Sequence, residues 1–232
     1  MADCPLLQSP DHEAAMHHHT LFVASCLCLL ATLAMPPAVH AQTPAAATVP
    51  GGVEVSGVRY APTAQVAGTT LQLNGAGTRF KFVVRVYTAG LYIGSKAATP
   101  EAVYAAPGAK RLQVVMLRDI DANELGRLFT RGMQDNAPRE AFSKSIPGTL
   151  RMVDIFSAKK KLLTGETFSL DYAPGVGTTV LVNGKPQGEP VREVEFFNAL
   201  LSIWLGPNPA DDGLKAALMG QDAPAPRGGR SR

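Results

Sequence analysis

The residues best placed to do chemistry in this 232-residue chain lie between Leu71 and Gly94. Leu71-Gln72-Leu73-Asn74 leads into Gly75-Ala76-Gly77-Thr78-Arg79, and a β-branched and aromatic run follows from Phe80 to Ile93. Glycines leave the backbone thin enough for close approach. A guanidinium beside them is a fixed cation offering several donors in a planar fork. The chemistry this pattern supports is the holding of an anion, and the two glycines predict a turn that presents Arg79.

What else can react depends on the N-terminus. Met16-His17-His18-His19 precedes an apolar run from Leu21 to Leu33 that ends in Pro36-Pro37-Ala38-Val39-His40-Ala41. This has the form of a secretory signal peptide over residues 1–41, cleaved after Ala41, although its n-region carries histidines in place of Lys or Arg. The residues before Met16 read as an N-terminal extension, with Met16 as the alternative start. About 13 apolar residues fall short of the ~20 that span a bilayer, so no stable membrane span is expected after cleavage. Cys26 follows a lipobox-like Val23-Ala24-Ser25, but the apolar run lies mostly after it, which argues against lipidation. The expected location is the periplasm or the exterior.

Removing that leader takes away Cys4, Cys26 and Cys28, together with His12, His17, His18, His19 and His40, which are all the cysteines and histidines of the chain. The mature chain then has no thiol, imidazole or disulfide. Cys/His zinc sites and Ser–His–Asp or Cys–His arrangements are excluded with them, and no metal or cofactor is expected. Acid–base work is left to Asp, Glu, Lys and Tyr. The loss of Asp3, Asp11 and Glu13 raises the net charge from +3 to +6. Scattered charges of this size suit anionic ligands or envelope surfaces better than nucleic acid.

The elements that must position Arg79 follow from periodicity. Residues 42–52 read as a flexible Ala/Thr/Pro linker, 53–220 as one domain, and 221–232 as a disordered Pro/Gly/Arg tail. Strands are predicted over 53–58, 69–73, 80–93 and 112–117, the third long enough to bend. Asp121 caps a helix over 122–136, with Leu125, Leu128, Phe129 and Met133 on one face. The stretch 139–156 reads as two shorter helices broken at Pro147-Gly148. Strands at 167–172 and 178–182 flank a turn at Pro174-Gly175, and Asn183-Gly184 marks another. A helix apolar on most sides covers 193–205, Gly206-Pro207 ends it, and a last helix covers 211–219. Segregated strands and helices give an α+β fold with a mostly antiparallel sheet.

Three blocks carry a family likeness: Leu73 to Arg79 with Thr88-Ala89-Gly90-Leu91-Tyr92; Leu117-Arg118-Asp119-Ile120 leading to Arg131-Gly132; and Ile203-Trp204-Leu205-Gly206-Pro207-Asn208-Pro209 with Leu214-Lys215. Together they resemble the chalcone isomerase-like family in its bacterial secreted branch. The resemblance implies an open-faced β-sandwich, a long antiparallel sheet packed against a layer of helices with a cleft between them. The family includes plant enzymes that close a flavanone ring and relatives that bind fatty acids without catalysis. In both, the arginine matching Arg79 faces the cleft.

The enzymes' other positions are replaced. Their strand threonine falls at Tyr87, their helix lysine near Gln134, their water-holding tyrosine near Phe142 or Ser143, and their late threonine at Ile203 beside Ser202. Ring closure needs several partners around a developing charge. The resemblance therefore implies no catalytic residue here, and a ligand site of Arg79 and Tyr87 for a small hydrophobic anion, a fatty or aromatic acid. The alternatives are an intramolecular lyase of chalcone isomerase type and an envelope protein-interaction module; oligomeric state stays open. One geometric condition applies. Eight residues of straight strand span about 26 Å, so Arg79 and Tyr87 meet only if the chain bends or folds back. Phe129, Met133 and Phe142 either line an acyl pocket or are plain core. Lys159-Lys160-Lys161 reads as a solvated turn.

Overall fold

The computed structural model describes residues 51–221; the expected signal peptide over 1–41, most of the expected 42–52 linker and residues 222–232 of the expected tail lie outside them. The chain opens with the short strands β1 (Val53–Val55) and β2 (Val58–Tyr60). It continues through β3 (Thr63–Val66), β4 (Thr69–Lys81), β5 (Val84–Ile93), α1 (Pro100–Ala105), β6 (Lys110–Met116), β7 (Ile120–Asp121), α2 (Ala122–Asn136) and α3 (Arg139–Lys159). After β8 (Lys161–Leu162) come β9 (Thr167–Ala173), β10 (Gly177–Val182), β11 (Lys185–Pro186), α4 (Val194–Leu205) and α5 (Asp212–Leu218). Seven strands form one antiparallel sheet in the order β11-β10-β9-β6-β5-β4-β3. Helices pack on one face, as the open-faced sandwich requires.

The main core lies between that face and the helices. Leu91, Leu112 and Val114 from the sheet meet Phe129, Phe156 and Trp204 from α2, α3 and α4. Nine of the twelve residues of α4 are buried, which is why its sequence is apolar on most sides. Phe129 sits at the centre of an aromatic cluster, edge-on to Phe156, Phe168 and Trp204 at 5.7–5.8 Å. A smaller core on the opposite face gathers Tyr60, Leu71, Leu73 and Tyr92 beneath the β1–β2 hairpin. There the Tyr60 hydroxyl donates to Thr88 Oγ1 at 2.8 Å.

Three predicted elements need correction. The first strand is two, because Ser56 and Gly57 both take positive φ (49° and 82°) and turn the chain back. The helix expected to break at Pro147-Gly148 runs unbroken from Arg139 to Lys159. Proline removes one helical hydrogen bond, and packing on both sides of it offsets the loss. A Cβ on Gly148 would fall 2.6 Å from Val191 and 2.7 Å from Phe196, so the glycine admits α4 and its approach strand instead of ending the helix.

The third correction concerns Gly75 and Gly77. They form no turn; both lie inside β4. Their lack of side chains makes room for α5. A Cβ on Gly75 would overlap the Ala217 carbonyl oxygen, and one on Gly77 would come 2.5 Å from the Ala217 Cβ. The chain reverses later, at Phe82-Val83, so in place of the strands expected over 69–73 and 80–93 stand β4 and β5 of one hairpin.

Candidate functional site

Arg79 owes its direction to a defect in β4. Side chains alternate faces along a strand, so Leu71 and Leu73, which point into the small core, would place Arg79 on that same side. The register shifts between Leu73 and Gly75, leaving Asn74 as the extra residue. One extra residue inverts the alternation, and Gly75, Gly77 and Arg79 turn toward the helices. The bulge is held by Asn74 itself, buried and saturated. Its Nδ2 donates to the carbonyls of Ala97 (2.9 Å) and Leu218 (2.7 Å), and its Oδ1 accepts from the Ala97 amide at 2.8 Å.

The fold-back that the sequence required is the β4–β5 hairpin, and it makes Arg79 and Tyr87 direct cross-strand partners. The guanidinium carbon sits over the Tyr87 ring, 5.5 Å from its centroid. A second register shift follows at once: Arg79 pairs with Tyr87, whereas Phe80 pairs with Arg85. Val86 is the extra residue, so Arg85 does not share a face with Arg79, as unbroken alternation would have it.

Around this pair lies a cleft of about 190 Å³, walled by Leu125, Leu128 and Phe129 of α2, Ile203 of α4, and Ile120 and Ala210. Polar groups at the rim are Arg131, Asp135, Asn136 and Asn208. Arg131 pairs with Asp135 at 3.6 Å in the open, where such a pair contributes little. Asn136 braces the wall: its Nδ2 donates to the Gly132 and Asn208 carbonyls (2.8 and 2.9 Å), and its Oδ1 accepts from the Asn208 amide at 2.7 Å. Gly132 lets α2 cross α4 closely, since a Cβ there would lie 3.1 Å from Ile203.

The electrostatics of the pair are asymmetric. Tyr87 is buried, and its hydroxyl accepts a hydrogen bond from Trp204 Nε1 at 2.8 Å. Burial pushes its pKa up to about 12; the charge of Arg79 and the Trp204 bond pull it down, and Asp211 pushes it up again. It therefore stays protonated near neutrality, with its own proton available to donate. Arg79 Nε is buried without a hydrogen-bond partner. The ion pairs among the described residues involve Arg111, Arg131, Lys144, Lys159 and Lys161, and none includes Arg79. Of the acids on this side, Asp135 pairs with Arg131, and the two oxygens of Asp211 accept from the amides of Phe80 (2.9 Å) and Leu214 (2.8 Å). A cation and a phenol, both with unused donor capacity, face a small apolar cleft. That arrangement can seat a carboxylate.

Of the other positions raised by the sequence, Ile203 and Phe129 wall the cleft, but no further side chain brings a hydroxyl or an amine to the pair. Gln134 is exposed and lines a separate depression with Asn123 and Arg127. The hydroxyls of Ser143 and Ser202 bond to helix carbonyls, those of Arg139 (3.0 Å) and Ala199 (2.6 Å). Met133 is core, Phe142 packs at the edge of the core away from the cleft, and only Phe129 of that trio reaches it. Asp121 caps α2 through the Glu124 amide, and Asp119 binds Lys161 and Thr164. Lys159 bonds Glu166 at 2.6 Å and Lys160, at φ 64°, ends α3. Trp204, legible as a core residue, also holds the Tyr87 hydroxyl; its indole N–H, a donor that seeks a partner when buried, was the available signal.

Comparison with known proteins agrees with this architecture. The family model described as chalcone isomerase-like matches residues 52–220. No curated protein matches the chain in sequence. Among solved structures, the crystal structure of an Arabidopsis thaliana fatty-acid binding protein superposes with a TM-score of 0.58 at 14% identity, covering 70% of this chain and 92% of that one. At that identity the likeness speaks for the fold alone.

Proposed function

The chain belongs to the chalcone isomerase-like family, and from that premise we propose that it binds a hydrophobic carboxylate in the cleft between sheet and helices, without transforming it. The observation that carries this reading is the partly buried Arg79, its Nε unpartnered, set against the protonated hydroxyl of Tyr87. A buried donor without an acceptor costs about 1–3 kcal/mol, and an incoming carboxylate would remove that cost with a forked, charge-assisted bond. The absence of converging hydroxyls from Ser143 and Ser202 favours binding over catalysis, because one cation and one phenol are a thin set for ring closure. The fatty-acid binding protein of like fold lends the ligand class further support.

Size narrows the class. The cleft is small, about 190 Å³, and partly open to solvent. It suits a carboxylate head and a short apolar stem, and a longer tail extends past its mouth. With the signal peptide read over residues 1–41, the protein acts in the periplasm or outside the cell. Native mass spectrometry of the purified protein tests the reading: an acid of matching mass should co-purify and be displaced by excess octanoate or cinnamate. Retention of a neutral lipid alone, or turnover of a chalcone to a flavanone above the buffer rate, would reject it.

A further inference from the structure

The hairpin that creates the Arg79–Tyr87 pair ends in an unusual tip. Phe82 and Val83 form its two-residue loop and are 93% and 91% exposed, and Phe80 and Val84 beside them are 45% and 40% exposed. Four apolar side chains thus stand in solvent at one point of the molecule. Two cations, Lys81 and Arg85, are interleaved with them, both exposed, and no acid occurs between Arg79 and Leu91. The acid nearest in the fold is Asp211, already bonded to the Phe80 and Leu214 amides.

The loop conformation adds a second observation. Phe82 has φ 57°, in the region where a two-residue hairpin loop ordinarily carries glycine or asparagine. A bulky aromatic there is an outlier that folding alone would not select. Among the described residues it is the only aromatic one at positive φ.

We infer that the Phe82-Val83 tip docks on an anionic phospholipid surface, the two apolar side chains entering the interface while Lys81 and Arg85 meet the head groups. Aromatic and aliphatic groups flanked by basic ones suit that boundary, where apolar burial and attraction to anionic lipid add. The inference stands on the hairpin and does not depend on what occupies the cleft.

The test uses the full chain with Phe82→Trp as a local reporter, so that binding through any other segment does not register. Trp204, the one native tryptophan, is buried and supplies a constant background. With vesicles of phosphatidylcholine and phosphatidylglycerol in equal parts, the added tryptophan should shift to the blue and be quenched by spin-labelled lipid. With phosphatidylcholine alone the response should be much weaker. Adding Lys81→Gln and Arg85→Gln should lower affinity about 30-fold, from roughly 1 kcal/mol per cation near an anionic surface. In the Phe82→Trp background, Val83→Ser should melt like its parent, because Val83 is 91% exposed, yet bind the mixed vesicles about 10-fold more weakly, from the roughly 1.5 kcal/mol of burying its side chain. Absence of a shift and of quenching overturns the proposal. So does a blue shift that appears without vesicles and grows with protein concentration, which would place the tip against a second copy of the chain.

Discussion

Replacing Arg79 with methionine separates a ligand-reading arginine from a structural one. Methionine keeps an unbranched apolar stem and loses the guanidinium. In the free protein, two terms oppose each other. The unpartnered Nε costs about 1–3 kcal/mol, and the contact with the Tyr87 ring at 5.5 Å returns about 0.5–2 kcal/mol. The stability of Arg79→Met should therefore stay within about 1 kcal/mol of wild type. Binding should change far more, because a desolvated guanidinium–carboxylate contact contributes about 3 kcal/mol, roughly 150-fold in Kd. Calorimetric melting with octanoate reads both quantities. At 100 times the wild-type Kd, the ligand adds about 2.7 kcal/mol, a rise of about 5–10 °C in Tm for a domain of this size. The same concentration lies below the variant's Kd and should raise its Tm by about 1 °C or less. Methyl octanoate, lacking the carboxylate, should not distinguish the two proteins. An unchanged octanoate response would show that Arg79 does not read the carboxylate, and a loss of several kcal/mol without ligand would show that it holds the fold instead.

Tyr87→Phe should weaken octanoate about 5- to 10-fold by titration calorimetry and lower stability by about 1–2 kcal/mol, since the Trp204 N–H is left without its acceptor. Gly77→Ala should destabilise by about 1–3 kcal/mol in urea melts, because its Cβ would meet the Ala217 Cβ at 2.5 Å. Ala217→Gly alone costs about 1 kcal/mol of helix propensity, and the double variant should be more stable than the sum of the two by at least 1 kcal/mol. Glu166 is held down to about 2 from an ordinary 4.5, chiefly by the Lys159 hydrogen bond and then the Leu163 amide. A depressed carboxylate stabilises fully above its unfolded pKa and loses that contribution as pH falls. Wild type should thus weaken between about pH 4.5 and 2, and Glu166→Gln should flatten the stability curve over that window.

How much was legible in the sequence differs element by element. Helices α2, α4 and α5 follow from local signals, because Asp121 and Asp211 cap through their own side chains and the apolar periods are long. The strands from Leu112 and Thr167 onward follow equally well. The Pro147-Gly148 break was misread because a local rule met a tertiary one: Val191 and Phe196 need the space Gly148 leaves. Gly75 and Gly77 were misread as a turn for the same reason, since a glycine that admits a helix and a glycine that reverses the chain look alike in one dimension. Helix α1, one and a half turns started by Thr99 and Pro100, was too short to give a period.

The sequence alone establishes the α+β class, the family likeness and the confinement of every His and Cys to residues 4–40, and it singles out Arg79 as the cation of interest. The class and the His/Cys distribution follow from composition and local periodicity, and the likeness and the interest in Arg79 follow from three motif blocks, because each depends on residue types and near neighbours. Only the tertiary structure decided that Arg79 meets Tyr87, since that depends on where the chain reverses and on two one-residue bulges, at Asn74 and Val86. A bulge changes no composition and little periodicity, yet it inverts every side chain beyond it. Whether Arg79 faces the helices or the β1–β2 hairpin rests on the three hydrogen bonds of Asn74 to residues far along the chain.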